Sequence, residues 1–368
     1  MDGWRRWQTA VGETYVVSLV RLILGVLLFL GAARSLDELW RGPFFGDVFH
    51  LPILPEALVP SKGVFTGFLW GQALLALFVM TGRGARPALL ASAIVGIYLL
   101  LCDRLAYHNN RYALFLFCFL LAFAPCDAAF VWGRRRSPSE GPLWAQKLCQ
   151  LQLAIIYLAS GGSKLLDADW RGGLVIGDRL VRSTQMAMQK GVPEELMRWL
   201  AAPLVASGLS KVAIASELFL AVGLFWPRTR FFALWWGTMF HLTIEVTSKV
   251  ELFGWLTVAI YALFAVPKTR ERILLYDREQ FLGRLVCRLV GWLDWLARFD
   301  RRAAELTGPD APLAGRAFAV IERDGSGATG LVAVARIARA VPLLFPFSLP
   351  LLAMGQLAHY QIVAPKQP

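Results

Sequence analysis

Leu158-Ala-Ser-Gly-Gly-Ser-Lys-Leu-Leu-Asp-Ala-Asp-Trp170 closes an apolar run that begins near Trp144. Upstream, residues 148–158 are apolar apart from Gln150 and Gln152. The run at 144–163 therefore has the length of a membrane-crossing helix, about 17–20 residues for a hydrocarbon core of about 30 Å. A charge at the end of such a helix is an interface anchor or a site, because a buried ammonium costs several kcal/mol unless something compensates it. An anchor has no need of Ser-Gly-Gly-Ser before it. Those small residues let another helix approach closely and leave room for a ligand. The plainer alternative is a snorkelling Lys164 with Trp170 among the headgroups.

Working outward, windows of the same kind recur at 15–33, 64–80, 87–101, 112–131, 212–225, 231–247 and 252–266. With 144–163 they predict an all-α polytopic membrane bundle of about eight transmembrane helices over residues 1–267. The composition agrees. The 368-residue chain is 57% hydrophobic, with 14 Trp and only 17% charged residues, against roughly 25% charged in soluble domains. The first run is too long for a cleavable signal peptide and lacks a small-residue cleavage site.

A net charge of +12 suggests nucleic acid, but the basic residues are placed by topology. Trp4-Arg-Arg-Trp7, Gly82-Arg-Gly-Ala-Arg86, Gly133-Arg-Arg-Arg136, Trp226-Pro-Arg-Thr-Arg230 and Pro267-Lys-Thr-Arg-Glu-Arg272 fall at alternate connections. That is the positive-inside pattern. It predicts a multi-pass inner-membrane protein with both termini cytoplasmic, membrane lipid as its surroundings and no nucleic-acid partner. The connections 35–63, 103–111, 164–211 and 248–251 then face outward. Within the third of these, 181–190 and 193–200 read as short helices. The five cysteines show neither metal spacing nor a disulfide framework.

Residues 268–368 read as a small cytoplasmic α/β domain. A strand at 273–276, an amphipathic helix at 281–299, a strand at 316–322, a turn at Arg323-Asp-Gly325 and a helix at 329–340 alternate as such a unit requires. The apolar 341–354 is broken by three prolines and reads as a membrane-surface or packing segment.

The outward connections gather the polar residues. Tyr107-His-Asn-Asn-Arg-Tyr112 precedes one span, while Lys164, Asp167, Asp169 and Trp170 leave another at the same face. His241 and Glu245 stand at i, i+4 on one helix face, so both can point into one cavity. An intramembrane Glu with a His one turn away is a site by default, or a hydrogen-bonded pair joining helices. Lys164 is the candidate base. In an apolar site a lysine loses its preference for the charged form, and nearby Asp167 and Asp169 oppose that. No metal is expected, since no Cys/His cluster exists.

At these residues the chain resembles a family. Asn109-Asn110-Arg-Tyr112 before a span ending Ala122-Phe-Ala-Pro125, Tyr157-Leu-Ala-Ser-Gly161 followed by Lys164-Leu and Asp167-Ala-Asp-Trp170, His241, and the Leu252-Phe-Gly…Pro267 span carry the likeness. Over residues 10–267 the chain resembles the horizontally transferred transmembrane domain, a relative of the membrane part of vitamin K-dependent gamma-glutamyl carboxylase. The resemblance implies a base lysine acting on a quinone or hydroquinone at the outer face. It implies catalytic roles for Lys164, Asn110, His108 and His241, and substrate contacts from Asn109, Tyr112, Asp167, Asp169, Trp170 and Glu245. Two departures stand out. The family's Asn-His is Asn109-Asn110 here, and its consecutive lysines become Lys164-Leu165-Leu166. The large lumenal domain is also missing, so carboxylation of glutamate is not expected.

The tail has its own likeness. Leu274-Leu-Tyr-Asp277, Gln280-Phe-Leu-Gly283 and Ile321-Glu-Arg-Asp-Gly325…Thr329-Gly330 resemble the DCC-type, thioredoxin-like thiol-disulfide oxidoreductases. Gln280 and Gly283 replace both cysteines of the Cys-x-x-Cys, which removes exchange chemistry. The expected function is a membrane enzyme acting on a lipid-soluble or membrane-delivered substrate, a quinone or a small peptide, with a tail that engages a cytoplasmic protein. The alternative is a non-catalytic membrane scaffold.

Overall fold

The computed structural model describes residues 9–44, 46, 49–104, 107–133, 139–247, 252–304, 313, 315–357 and 361–363. The basic clusters at 4–7 and 134–136 and the connection 248–251 lie outside the described residues. Two compact units emerge, residues 1–265 and 266–368.

In the first unit every apolar window carries a helix. These are α1 (Tyr15–Arg41), α2 (Lys62–Thr81), α3 (Ala85–Cys102), α4 (Asn109–Leu121), α5 (Trp144–Leu166), then α6 (Ala168–Gly172), α7 (Leu174–Gln189) and α8 (Glu194–Leu200), and finally α9 (Pro203–Gly223), α10 (Pro227–Thr247) and α11 (Phe253–Ala265). Among the described residues, only α1, α2, α3 and α9 are long and apolar enough to cross a membrane by length and composition. The expectation of eight spans is thereby corrected to four clear candidates. The physical reasons are local. Helix α4 ends at Leu121, four residues before Pro125, whose ring removes a donor and disfavours helix at the preceding residue. Helix α11 has 13 residues. Glutamines and Ser160–Lys164 dilute α5, and α10 carries Arg228, Arg230, His241 and Glu245. Conversely, α9 starts nine residues before the predicted window, with Pro203 at its first turn, where a missing N–H costs nothing.

Helices α1 to α4 pack in sequence order, α5 packs on α9, α9 on α10, and α10 on α11. Helix α11 also touches α1 and α5, joining the two groups. A short antiparallel pair, β1 (Val11–Glu13) with β2 (Glu140–Pro142), ties the chain before α1 to the chain before α5.

One side chain organises an end of this bundle. Arg21 on α1 is fully buried. Its Nε donates to the Cys126 carbonyl at 3.1 Å, Nη1 to Val79 and Met80 at 2.6 and 2.8 Å, and Nη2 to Ala129 and Phe130 at 2.9 Å each. All five guanidinium donors are used. Two of the carbonyls are orphans of the last turn of α2. Gly82 then turns the chain at φ +79°, and a Cβ there would lie 3.1 Å from Arg21 Nη2.

The second unit holds a five-stranded sheet in the order β4-β3-β5-β6-β7. Strand β3 (Arg272–Tyr276) runs parallel to β4 (Phe299–Ala303) through the crossover α12 (Phe281–Leu293). Strand β5 (Phe318–Ile321) is antiparallel to β3 and forms a hairpin with β6 (Ser326–Thr329), which leads into α13 (Gly330–Ala340). A 3₁₀ turn (Pro342–Phe347), α14 (Ser348–Leu357) and β7 (Gln361–Val363) follow. Leu274, Val290, Phe299, Val320 and Ile337 form the core, and Val341 and Leu344 pack into it, so the start of the proline-broken segment serves packing.

The helix predicted over 281–299 stops at Leu293, and Phe299 opens a strand that the periodicity hid. Asp294 causes the break. Its half-buried carboxylate accepts the Arg298 and Phe299 N–H groups at 2.8 Å each, and Ala297 adopts φ +49°.

Gly283 lies tight against backbone. A Cβ there would lie 2.5 Å from the Asp277 carbonyl oxygen and 2.6 Å from that of Ala317, both backbone. The Cys-x-x-Cys pair therefore cannot be restored by substitution alone. Gln280, at the other cysteine position, donates from Nε2 to Asp277 Oδ2 at 2.8 Å. Gly283→Ala is expected to destabilise this unit by about 1–3 kcal/mol, the usual cost of overpacking. Hydrogen exchange of peptides spanning 272–293 in the intact protein measures it, and protection equal to the parent would refute it.

Candidate functional site

Helices α5 and α9 approach closely at Gly161, where a Cβ would lie 3.0 Å from Leu218 and 3.2 Å from the Glu217 Cβ. The small-residue run does permit a helix to come near, but through Gly161 alone, since nothing lies within 4 Å of a Cβ at Gly162. The close approach sets up an ion pair. Lys164 Nζ donates to Glu217 Oε1 at 2.5 Å, to Glu217 Oε2 at 2.6 Å and to Ser160 Oγ at 2.7 Å. The two charged side chains are only 16% and 11% exposed. The ammonium also sits 4.9 Å from the Trp170 ring, which Arg179 approaches to 5.1 Å. Such cation–π contacts strengthen when desolvated.

Two turns earlier on the same face of α5, the buried Tyr157 hydroxyl lies 2.7 Å from His241 Nε2 and 2.5 Å from the Tyr261 hydroxyl. This joins α5, α10 and α11. The His241 ring packs against Phe240 and Phe253. Gly237 makes the space, because a Cβ there would lie 2.2 Å from the Tyr261 hydroxyl. Pair and triad share one face of α5, along positions 157, 160, 161 and 164.

The other predicted residues are placed variously. Glu245 lies one turn beyond His241, with both near Gly254 of α11, as the spacing implied. Among the described residues, no hydrogen bond joins the two side chains, and Glu245 Oε2 is buried without a partner. The Lys190 ammonium donates instead to the Glu245 backbone carbonyl. Asp167 caps α6, its Oδ1 accepting the Asp169 and Trp170 N–H groups at 2.8 and 3.2 Å. Asp169 is exposed. Trp170 is drawn in by Ser210, whose hydroxyl donates to its carbonyl. His108 occupies the residue before α4 and is exposed, as are Asn109 and Tyr112, while Asn110 is half-buried. Among the described residues, none of these four hydrogen-bonds to Lys164 or His241. Their neighbour Arg111 instead ties α4 to α1 through Glu38 at 3.2 Å and Ser35 at 3.3 Å. Among the described residues, no three His, Cys, Asp or Glu side chains gather as metal ligands would.

The HTTM domain model matches residues 13–268, a span holding all of this geometry. The chain belongs to the HTTM-domain family. No solved structure matches it. The apolar helices and the HTTM domain together mark a membrane protein of the carboxylase-like superfamily.

Within the HTTM domain, sequence reasoning missed Glu217, Tyr261 and Arg21, and quoted Tyr157 without a role. A signal existed for two of them. Arg21 and Glu217 are the sole charged residues in the windows 15–33 and 212–225, and an intramembrane charge is a site by default. Nothing in the sequence distinguishes Tyr157 or Tyr261 from the other aromatics of the bundle.

Proposed function

We propose that this HTTM protein is a membrane enzyme that moves a proton to or from a lipid-soluble substrate. The observation that carries the reading is the buried Lys164–Glu217 pair beside the Tyr157–His241–Tyr261 chain, in apolar surroundings shared by four helices. A lysine ammonium in an ion pair is an acid, so Lys164 acts as a base only after its proton passes to Glu217. Contacts of 2.5 and 2.6 Å suit that transfer, and low polarity narrows the gap between the ionic and neutral forms of such a pair.

Behind the pair, the hydroxyl of Tyr157 has one proton and two neighbours. Either Tyr157 donates to His241 and accepts from Tyr261, or every bond reverses and His241 donates from Nε2. The chain therefore relays a proton by switching direction, a role suited to a neutral histidine. A hydroxylated ring such as a hydroquinone suits these groups, because among the described residues Glu245 Oε2 is a buried acceptor without a donor. Lys164 and Glu217 would then face its hydroxyl. When bound, a hydroquinone supplies an acidic hydroxyl and reducing electrons.

The positive-inside pattern supports an inner-membrane location with both termini cytoplasmic. The tail reads as a redox-dead, thioredoxin-like adaptor for a cytoplasmic protein. Its parallel β3-α12-β4 unit joined to β5-β6-α13 is in keeping with that resemblance. A second reading, a non-catalytic scaffold, draws on the same ion pair, since Lys164 and Glu217 also fasten α5 to α9.

Mass spectrometry of organic extracts from the purified protein separates the two readings. A bound quinone-class molecule supports the enzyme, whereas ordinary phospholipid alone favours the scaffold. With that molecule as substrate, Tyr157→Phe is expected to lower turnover by about 10²-fold or more, the usual worth of a positioned proton donor. Unchanged turnover would remove the relay from the mechanism.

A further inference from the structure

Helix α12 is apolar over more of its circumference than the second unit uses. Val286, Val290 and Leu293 pack into the core. At 3.6 residues per turn, Phe281, Leu282, Leu285, Leu289 and Trp292 fall together in a neighbouring arc of about 100°. All five are exposed, Trp292 by 84% and Phe281 by 71%. An arc of that width is what a helix ordinarily turns toward a core, yet this one lies outside the core that its own unit builds. Exposed apolar surface gathered in this way marks an interaction site.

The charges on the helix all have one sign. Residues 281–293 include Arg284 and Arg288 but no aspartate or glutamate. Both arginines are exposed. They lie about 60° and 20° beyond Phe281, along the edge of the arc away from the core. Arg301 of β4 joins that basic edge, lying against Gly291 and donating from Nη1 to the Cys287 carbonyl at 3.3 Å.

We propose that α12 docks on an anionic lipid surface, its apolar arc entering the boundary between headgroups and acyl chains while Arg284, Arg288 and Arg301 meet lipid phosphates. An apolar face of Phe, Leu and Trp beside arginines is the pattern of a helix lying in a membrane interface, and tryptophan favours that depth. The guanidinium fork matches a phosphate group. A second copy using the same patch would set arginines against arginines, with no carboxylate on α12 to answer them. The chain also carries its own membrane helices, so lipid is offered to α12 at high effective concentration.

The test places a bimane fluorophore at position 289 of the full-length protein, in nanodiscs containing a doxyl-labelled lipid. Leu289→Cys supplies the thiol in a Cys287→Ser background, since the other four cysteines are buried. The bimane is itself apolar and keeps the arc intact. Quenching is expected in discs containing phosphatidylglycerol. The docked-to-undocked ratio should fall about fivefold for each arginine charge removed, hence about 25-fold in Arg284→Gln, Arg288→Gln. It should fall likewise in discs of phosphatidylcholine alone. Arg288→Gln by itself carries the test if losing the Arg284 bonds to the Arg278 and Glu279 carbonyls, at 2.8 and 3.0 Å, unsettles the start of the helix. Quenching that survives both the substitutions and the change of lipid would overturn the proposal. A bimane shielded from water but unquenched, as burial against another protein surface would give, overturns it equally, and so does one left exposed to water.

Discussion

Lys164→Ala is expected to destabilise the membrane unit by about 3–5 kcal/mol, the cost of leaving one member of a buried ion pair without its partner. The stranded group is Glu217, 11% exposed and held at 2.5 and 2.6 Å by the ammonium it would lose. An interfacial anchor lysine would behave differently, since its removal costs almost nothing. Glu217→Leu alone should be comparably damaging. The double variant Lys164→Met, Glu217→Leu should recover most of the loss, because a well-packed apolar pair can match a buried ionic one. Thermal denaturation in detergent, read by size-exclusion fluorescence of the surviving fraction, measures all three. A single alanine variant as stable as the parent, or a double variant no better than the singles, would sink the claim. The double variant also isolates chemistry from structure. Stable but inactive protein supports the acid–base reading, while stable and active protein leaves the pair as helix glue.

Arg21→Ala is expected to cost at least about 3 kcal/mol and to lower the yield of folded protein sharply. Five backbone carbonyls, from residues 79, 80, 126, 129 and 130, would lose their donor at once, and each buried group left unmade costs about 1–3 kcal/mol where water cannot reach it. Arg21→Lys should also fail, retaining less than half the stability difference. Lysine keeps the charge but offers three donors from a single point, not five in a planar fork. The same denaturation assay decides it, and a lysine variant equal to the parent would show that charge alone, without the fork geometry, holds this end of the bundle.

Much of the architecture was legible beforehand because it is local. Each apolar window holds a helix, since burial in a bundle or a bilayer demands continuous backbone pairing whatever the tertiary arrangement. The tail's first strand, its crossover helix and its hairpin turn followed from residues a few positions apart. Even the close helix approach at Gly161 was implied by the small residues before Lys164. The misreadings were local failures with local causes. Pro125 shortens α4, Pro203 lengthens α9, and Asp294 turns a predicted helical residue, Phe299, into the start of a strand.

The candidate site was legible only in half. Lys164, His241 and Glu245 declared themselves as polar groups in apolar helices, and their energetic cost is a property of the sequence. Their partners are not. Glu217 meets Lys164 across 53 residues, Tyr157 meets His241 across 84, and Arg21 reaches Phe130 across 109. Asn109, Asn110 and His108, which the motif grouped with Lys164, make no hydrogen bond to it among the described residues. A sequence determines which groups must find partners, because desolvation penalties belong to residue types. Which partner each one finds depends on helix packing, where close approach at Gly161 and Gly237 brings specific side chains within about 3 Å. Only the tertiary structure decides that.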